Sequence, residues 1–351
     1  MAPSAVETTT NPVSETPKVK LYSGHVEGAY KELSPTSYIR ESEEKGIDGH
    51  AAAKYPNYLP TWNTDQVYPP LEPFEHYEHG KDADPSFSNL LTSDSKVSHL
   101  TPTIGTEVEG VQLSSLSDAG KDELARYVAE RKVVAFRNQD FADLPISEAL
   151  NAGDKSYEDF FKTRVSSVAW HSDITYEQQP PGTTFLYVLD NPDTGGDTLF
   201  ANTVEAYNRL SPTFQKLLHG LKATHSGIEQ VNASVKKGSI KRREPVVNEH
   251  PIVRTHPVTG EKSLYVNPQF TRSIVGLKKE ESDAILNFLF EHIAWGADFH
   301  ARVKWAKGTV VVWDNRSVQH TAILDWHSGQ RRHLARITPQ AERPYETPFE
   351  S

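Results

Sequence analysis

The stretch SVAWHSDITYE, residues 167–177, places an imidazole and a carboxylate at alternate positions, His171 and Asp173. Residues two apart in a β-strand point to the same face, so both side chains could converge on one point. Such a pair forms either an ion pair or part of a metal site. The stretch therefore predicts a strand that carries two candidate ligands, and a third ligand has to decide between these interpretations.

A second histidine for such a site lies far downstream in VVVWDNRSVQHTA, where His320 follows another predicted strand. An antiparallel jelly roll can bring such distant strands together at its mouth. Two histidines and one carboxylate on one side of iron leave coordination positions open, which is the arrangement of non-haem iron(II) oxygenases. His171, Asp173 and His320 are thus the candidate metal ligands and catalytic centre.

The open positions on such an iron ion would need a co-substrate besides dioxygen, and a 2-oxo acid could bind through two atoms. The far carboxylate of a dicarboxylate such as 2-oxoglutarate then needs a fixed cation. Arg332 or Arg336, on one face of the last predicted strand, can supply a bidentate guanidinium. Thr198, after the turn TGGD at residues 194–197, offers a hydroxyl to the same end.

The composition limits the classes of protein that fit. The 351 residues carry a formal net charge of −10, which argues against a nucleic-acid partner because phosphate binding needs a basic surface. The chain has no cysteine, which excludes disulfides, thiolate metal sites and thiol nucleophiles. It has neither an apolar run of membrane-spanning length nor a secretory signal, so we expect no membrane partner and a cytoplasmic location.

The sequence divides into four predicted parts. Residues 1–30 predict a disordered tail, because they are rich in Thr, Pro, Ser and Glu. Residues 31–94 show little periodicity and predict an irregular arm. Residues 95–345 predict a single domain, and residues 346–351 a C-terminal tail.

Strands dominate the second half of this domain, and helices are inserted without regular alternation. Ser117 predicts the start of a helix through DAGKDELARYVAERK, Ser211 and Pro212 that of a second helix, and KEESDAILNFLFEHIA is a third. The predicted strands are VVAF (133–136), TTFLYVLDN (183–191), SLYVNPQF (263–270), GTVVVWDN (308–315) and RRHLARIT (331–338). This pattern favours a mainly β protein with helical additions around a double-stranded β-helix, or jelly roll, core.

Three long stretches closely resemble the taurine dioxygenase family of iron(II)- and 2-oxoglutarate-dependent oxygenases, and fungal-type sulfonate dioxygenases look nearest. The stretches are WHSDITYEQQPPGTTFLYVLDNPDTGGDTLFANTVEAYNRLSPTFQKLLHGL, YVNPQFTRSIVGLKKEESDAILNFLFEHI and VVVWDNRSVQHTAILDWHSGQRRHLARIT. The resemblance implies that His171, Asp173 and His320 bind iron. It also implies that Thr198 and Arg332 bind the distal carboxylate of 2-oxoglutarate.

The same resemblance implies a substrate side of the site. Arg336 resembles the family arginine that pairs with the sulfonate of the substrate, and Ile174 would lend a backbone N–H. Trp170 and Phe270 would form walls of the cavity. The implied activity is hydroxylation of a small anionic molecule, first of all a sulfonate such as taurine with release of sulfite, in a chain that could form homo-oligomers.

One departure from the family leaves alternatives open. Family members carry, before the His-x-Asp stretch, a histidine that helps to bind the substrate anion. Here the connection from Phe141 to Trp170 is shorter and contains no histidine. The alternatives are the same chemistry on another small acid, an alkyl sulfate or a specialised metabolite, or a non-catalytic relative. A cupin-like protein with structural zinc would leave Arg332 and Thr198 unexplained.

Overall fold

β-Strands make up most of the regular structure in the computed structural model, which describes residues 67–141, 149–152, 166, 168–236, 241–326 and 332–349. The strands are β1 Lys96–His99, β2 Thr106–Glu109, β3 Val133–Phe136, β4 Ala149–Ala152, β5 Thr183–Asp190, β6 Thr198–Asn202, β7 Lys222–Ser226, β8 Val247–Pro251, β9 Val253–Thr255, β10 Lys262–Leu264, β11 Thr271–Ile274, β12 His300–Val303, β13 Val310–Asp314, β14 Val318–Ala322 and β15 Arg332–Ile337. The α-helices are α1 Asp118–Arg131, α2 Thr203–Asn208, α3 Pro212–Leu218, α4 Ile228–Lys236 and α5 Lys279–Trp295.

Two open sheets face each other across an apolar core. The larger sheet has the strand order β1-β2-β3-β13-β5-β15-β4, and the smaller has the order β12-β6-β14. Alternate residues of both sheets meet in one buried cluster that includes Phe200, Val311, Trp313, Val318 and Leu334. This arrangement confirms the prediction of a mainly β protein with a jelly-roll core, in which β14 lies opposite the centre of the larger sheet.

The outer face of the larger sheet is covered by α1. Leu124, Tyr127 and Val128 of this helix pack against Val134 and Val312 of the sheet. The helix begins where the sequence predicts, because the Ser117 hydroxyl accepts a hydrogen bond from the backbone N–H of Gly120. Because both faces of β3 and β13 are buried, the centre of the sheet is a rigid support for side chains on its inner surface.

The other two predicted helices are also confirmed, and one predicted strand is too long. The Ser211 hydroxyl caps the helix that starts at Pro212, and α5 buries Leu286, Leu289 and Ile293, with Ile285 half-buried. The strand predicted over residues 263–270 ends at Leu264. The chain turns there because the Asn267 side chain accepts a hydrogen bond from the N–H of Phe270, and the Thr271 hydroxyl accepts one from the N–H of Asn267.

The two ends of the described chain lie against the core. The described part of the arm, from residue 67, is irregular apart from a short 3-10 helix at His79–Lys81, and Glu78 forms an ion pair with buried Arg316. At the other end, Glu346 pairs with His219, and the ring of Phe349 lies 4.9 Å from that imidazole. The predicted tail at residues 1–30 is outside the described residues, and the domain boundaries stay predictions. No helix among the described residues combines the length and apolarity needed to cross a membrane.

A buried polar group supports the turn between β13 and β14. His256 Nε2 donates to Asp314 Oδ2 at 2.9 Å, and Arg316 donates to both oxygens of the same carboxylate. Burial opposes ionisation of Asp314, but Arg316 and His256 outweigh it and hold its pKa well below the usual range. The carboxylate therefore stays charged, and its bonds to His256 and Arg316 fix the turn that leads into β14.

Buried neutral histidines make the fold sensitive to mild acid. Burial lowers the pKa of His225 and of His256, and it brings the pKa of His250 to about 4. The unfolded chain holds these imidazoles near pKa 6.5, so below that pH it binds more protons than the folded chain does. We therefore expect the free energy of unfolding to decrease as the pH drops from about 6.5 towards 4, by up to about 1.4 kcal/mol per pH unit for each group.

Urea unfolding followed by circular dichroism, at several pH values between about 7.5 and 5, measures this decrease. His250→Gln should flatten the profile, whereas His79→Gln, which replaces a side chain that is 64% exposed, should leave it unchanged. A free energy of unfolding that stays constant over this interval would contradict the expectation.

Candidate active site

His171 and His320 meet through a short antiparallel bridge. The N–H of His171 donates to the carbonyl of His320 at 3.1 Å, and the N–H of His320 donates back at 2.8 Å. The two imidazole centroids are 4.3 Å apart. Asp173 Oδ1 lies 3.9 Å from Nε2 of His171 and 4.0 Å from Nε2 of His320. The structure thus brings together the three residues predicted as metal ligands, one ligand atom from each.

The strand predicted for His171 and Asp173 is wrong in its conformation. His171 belongs only to the isolated bridge, and a turn begins at Asp173. Ile174 has a φ of +33°, which is uncommon for a β-branched residue. A hydrogen bond from the N–H of Glu177 to the Ile174 carbonyl closes this turn. The two candidate ligands therefore lie where the bridged segment ends and the turn begins.

Each imidazole is held in a state that suits a metal ligand. His171 Nδ1 donates to the Ala169 carbonyl at 2.8 Å, which leaves Nε2 as the lone-pair atom facing Asp173. His320 is packed between the rings of Phe200 and Trp313. Burial, together with the neighbouring His171, brings the pKa of His320 to about 3, and burial also lowers that of His171. Both rings are therefore neutral near pH 7, as metal coordination requires.

Asp173 is fixed by residues that the sequence analysis did not single out. Its Oδ2 accepts from the Thr184 hydroxyl at 2.8 Å, and its N–H donates to Asn315 Oδ1 at 3.0 Å. Asn315 in turn accepts from the indole of Trp313. Burial opposes ionisation of Asp173, but His320 and Arg336 outweigh it and lower its pKa. The DN turn signal after VVVW was the only hint of Asn315 in the sequence, and nothing pointed to Thr184.

These features test whether a divalent metal suits the group. Two neutral imidazole nitrogens and one charged carboxylate oxygen face a common point, and the other polar atoms of His171 and Asp173 are already bonded. Nitrogen and oxygen donors of this kind are the facial set that iron(II) takes in non-haem oxygenases. The donor chemistry of the described residues therefore fits iron(II).

Arg332 and Thr198 lie on the two facing sheets. Arg332, at the start of β15, is only 5% exposed; its Nε donates to the Gly196 carbonyl, and its guanidinium lies 5.5 Å from the ring centroid of Trp326. A Cβ atom at Gly196, where φ is +72°, would lie only 3.2 Å from the side chain of this arginine, so the arginine would have to shift slightly. Burial lowers the pKa of Arg332 to about 10, so it remains a cation at neutral pH.

Thr198 and His320 share the inner face of the smaller sheet. In the register of β6 and β14, Phe200 is opposite His320, and Thr198 is opposite Ala322. Residues two apart on a strand face the same side, so Thr198 lies one step along the sheet from His320. Its hydroxyl accepts a hydrogen bond from the indole of Trp305 at 3.1 Å.

The residues predicted to bind the substrate fall into two groups. Arg336 Nη1 donates to Asp173 Oδ1 at 2.9 Å, and the arginine side chain is 30% exposed. The ring of Phe270 meets the imidazole of His171 edge-on, with the centroids 5.9 Å apart. Ile174 forms the turn beside Asp173. Trp170 lies in the apolar core with residues of α5, and its ring packs against that of His300.

Two further groups of histidine and carboxylate side chains lie near the arm, among the residues that the structure describes. They are His76, Glu78 and Glu342, and His79, Asp82 and Asp122. In the first group, Arg316 and Arg254 already pair with the carboxylates, and in the second the imidazole is largely exposed. Neither group has the buried, oriented donors of the group around Asp173.

Comparisons with known proteins agree with this geometry. The family model described as taurine catabolism dioxygenase TauD, TfdA family matches residues 96–338. An alpha-ketoglutarate-dependent sulfonate dioxygenase of Saccharomyces cerevisiae is 43% identical, over 93% of this chain and 86% of its own length. The alpha-ketoglutarate-dependent dioxygenase cnsP of Penicillium expansum is 41% identical, over 91% of this chain and 93% of its own length.

A solved structure extends the likeness to the fold. The crystal structure of a taurine dioxygenase from Burkholderia xenovorans superimposes with a TM-score of 0.60 at 29% identity, and it covers 72% of this chain and 92% of that one. The family match spans well over half of the sequence and includes every residue of the candidate site. The chain therefore belongs to the TauD, TfdA family of taurine catabolism dioxygenases.

Proposed function

We propose that this protein, a 2-oxoglutarate-dependent non-haem iron dioxygenase by its family, hydroxylates a small anionic substrate, first of all a sulfonate such as taurine, with release of sulfite. The observation that carries the proposal is the convergence of two neutral imidazoles and one charged carboxylate beside the guanidinium of Arg336. The yeast relative, which is named for its action on sulfonates, supports the substrate class.

In this proposal the iron ligands are His171 Nε2, Asp173 Oδ1 and His320 Nε2. When bound there, iron(II) supplies the activation of dioxygen, which couples the conversion of 2-oxoglutarate to succinate and carbon dioxide with hydroxylation of the substrate. The protein holds both imidazoles neutral and fixes the carboxylate through Thr184 and the Asn315 side chain. The surrounding apolar core keeps bulk water from the reacting atoms.

We assign the distal carboxylate of 2-oxoglutarate to Arg332 and Thr198. Arg332 is a buried cation whose position is set by the Gly196 carbonyl and by the Trp326 ring. A guanidinium of this kind binds a carboxylate through two parallel hydrogen bonds. Thr198 lies on the same inner surface as His320, so it can offer its hydroxyl to a ligand that reaches from the metal towards Arg332.

We assign the substrate anion to Arg336, with the backbone N–H of Ile174 beside it. Phe270 forms an apolar wall next to His171, and the role of Trp170 as a wall stays a prediction. Hydroxylation of the carbon next to sulfur would give a product that breaks down to sulfite and an aldehyde. An alkyl sulfate or another small acid would use the same arginine, and cnsP, a relative of similar identity, is not named for a sulfonate.

The metal assignment predicts a spectroscopic signature. Anaerobic addition of iron(II) and 2-oxoglutarate to the folded protein should give a weak visible charge-transfer band. His171→Ala and His320→Ala should lose this band, because each removes one imidazole ligand. His300→Gln, a change outside the group, should retain it. A band that persists in His171→Ala, or that is missing in the folded wild-type protein, would end the assignment.

The co-substrate assignment predicts a selective change in kinetics. Arg332→Gln should raise the KM for 2-oxoglutarate by roughly 10- to 100-fold, because one bidentate pair is lost. Arg302→Gln is the control, since Arg302 is 53% exposed and pairs with Asp197 and Asp325 near the same turn. An equal effect of both changes would show that only the turn, and no ligand contact, had been disturbed.

The substrate assignment is tested by its products. With taurine, the protein should release sulfite and succinate in equal amounts, and parallel assays with an alkyl sulfate and other small acids compare the alternatives. Succinate formation driven by another acid, with no sulfite from taurine, would replace the sulfonate by that acid. Tight binding of 2-oxoglutarate without succinate from any member of the panel would favour a non-catalytic relative.

A further inference from the structure

The Oδ1 atom of Asp173 is the point where three positions of the site meet. It faces the Nε2 atoms of His171 and His320 at 3.9 and 4.0 Å, and it accepts a hydrogen bond from Arg336 at 2.9 Å. The other oxygen of this carboxylate is bonded to the Thr184 hydroxyl. The oxygen that is oriented for a metal ion is thus the one that Arg336 contacts.

A guanidinium and a divalent cation at one carboxylate oxygen repel each other, and the shared negative charge is too small for both. Binding of either group at this oxygen therefore weakens the binding of the other. Asp173 is only 3% exposed and is fixed by Thr184 and Asn315. The Arg336 side chain is 30% exposed, and its ion pair with Asp173 is the contact that the structure shows for its guanidinium. The arginine is therefore the mobile partner.

Arg332 shows the opposite behaviour on the same strand. Its guanidinium is bonded to the Gly196 carbonyl and lies against the Trp326 ring, and the residue is 5% exposed. These contacts with Gly196 and Trp326 hold Arg332 in place without the carboxylate of Asp173. The two arginines of β15 are thus different in kind, although both lie on the inner face of the sheet.

We propose that Arg336 exchanges between two anions: it pairs with Asp173 until a metal ion binds, and the metal then releases it to bind the anionic group of the substrate. The inference rests on the proposed function and adds an order to it. Metal and substrate anion become linked, so that each raises the affinity of the protein for the other by the same factor. Without metal, the substrate anion must compete with Asp173 for the same guanidinium.

The test uses manganese(II) as a metal probe that needs no turnover. Binding of manganese(II) to the full chain, without 2-oxoglutarate, is measured by electron paramagnetic resonance of the free ion. Arg336→Gln should bind it roughly 3- to 10-fold more tightly than the wild-type protein, because the competing cation is gone. Arg332→Gln is the matched control, since it removes a positive charge from the same strand without freeing Asp173. Arg336→Lys, which restores a cation, should reverse most of the gain.

A second measurement follows the linkage itself. Titration of taurine, and of an alkyl sulfate in a separate series, should show tighter binding to the manganese(II)-loaded wild-type protein than to the metal-free protein. In Arg336→Gln this ratio should fall to about one. Circular dichroism confirms that each variant is folded, and Arg336→Met, which also removes the cation, replaces Arg336→Gln if that variant does not fold.

The outcomes separate this inference from the proposed function. Manganese(II) that binds regardless of His171→Ala and His320→Ala overturns the metal site and therefore both proposals. Manganese(II) that depends on these histidines but binds Arg336→Gln no more tightly than Arg332→Gln overturns the exchange alone. In that case Arg336 keeps its contact with Asp173 when metal is present and acts as an orienting partner of the ligand.

Discussion

Two backbone hydrogen bonds between His171 and His320 hold the candidate site together. They join a segment that precedes β5 to a strand near the end of the domain. Because the bonds are between backbones, they fix the separation of the two backbones, and the contacts of each imidazole then set the orientation of its ring. The jelly roll contributes by presenting β14 to this segment, and the rest of the chemistry follows from that pairing.

The residues around this pairing set the protonation states and the orientations of the candidate ligands. The Thr184 hydroxyl binds the carboxylate of Asp173, and the Asn315 side chain binds its backbone N–H. The Ala169 carbonyl sets the tautomer of His171, and burial keeps His320 neutral. Each of these hydrogen bonds orders a group that would otherwise become ordered only when a ligand binds. A site prepared in this way loses little conformational entropy when it takes up a metal ion.

The sequence predicted most strands and the helix starts well, because these depend on local pattern and residue type, and the structure brings the three candidate metal ligands together. It failed where tertiary context decides. The strand expected over His171 and Asp173 is reduced to a bridge at His171, followed by a turn that starts at Asp173, and the strand expected to run to residue 270 stops at Leu264. The pair between Arg336 and Asp173 could not be foreseen, since it joins β15 to a turn whose position relative to that strand is set only by the packed sheets.

The residue types and the family resemblance contributed to different parts of the candidate site. Residue types alone were enough to propose a metal site, but the separate roles of Arg332 and Arg336 came from the resemblance. The structure now gives a physical basis for separating them, because one guanidinium is buried against an indole and the other pairs with the candidate metal ligand. The connection between Phe141 and Trp170, where the sequence departs from the family, falls largely outside the described residues.

The positive φ of Ile174 limits which residues this position can accept during evolution. A β-branched residue in this conformation costs about 1–3 kcal/mol of strain, which the surrounding bonds at Asp173 and Glu177 must offset. Glycine at this position would remove the strain, but its freer backbone would also let the neighbouring Asp173 carboxylate change its orientation. Evolution at this position therefore balances the stability of the fold against a fixed orientation of the Asp173 carboxylate. A glycine here would indicate that this orientation is no longer required.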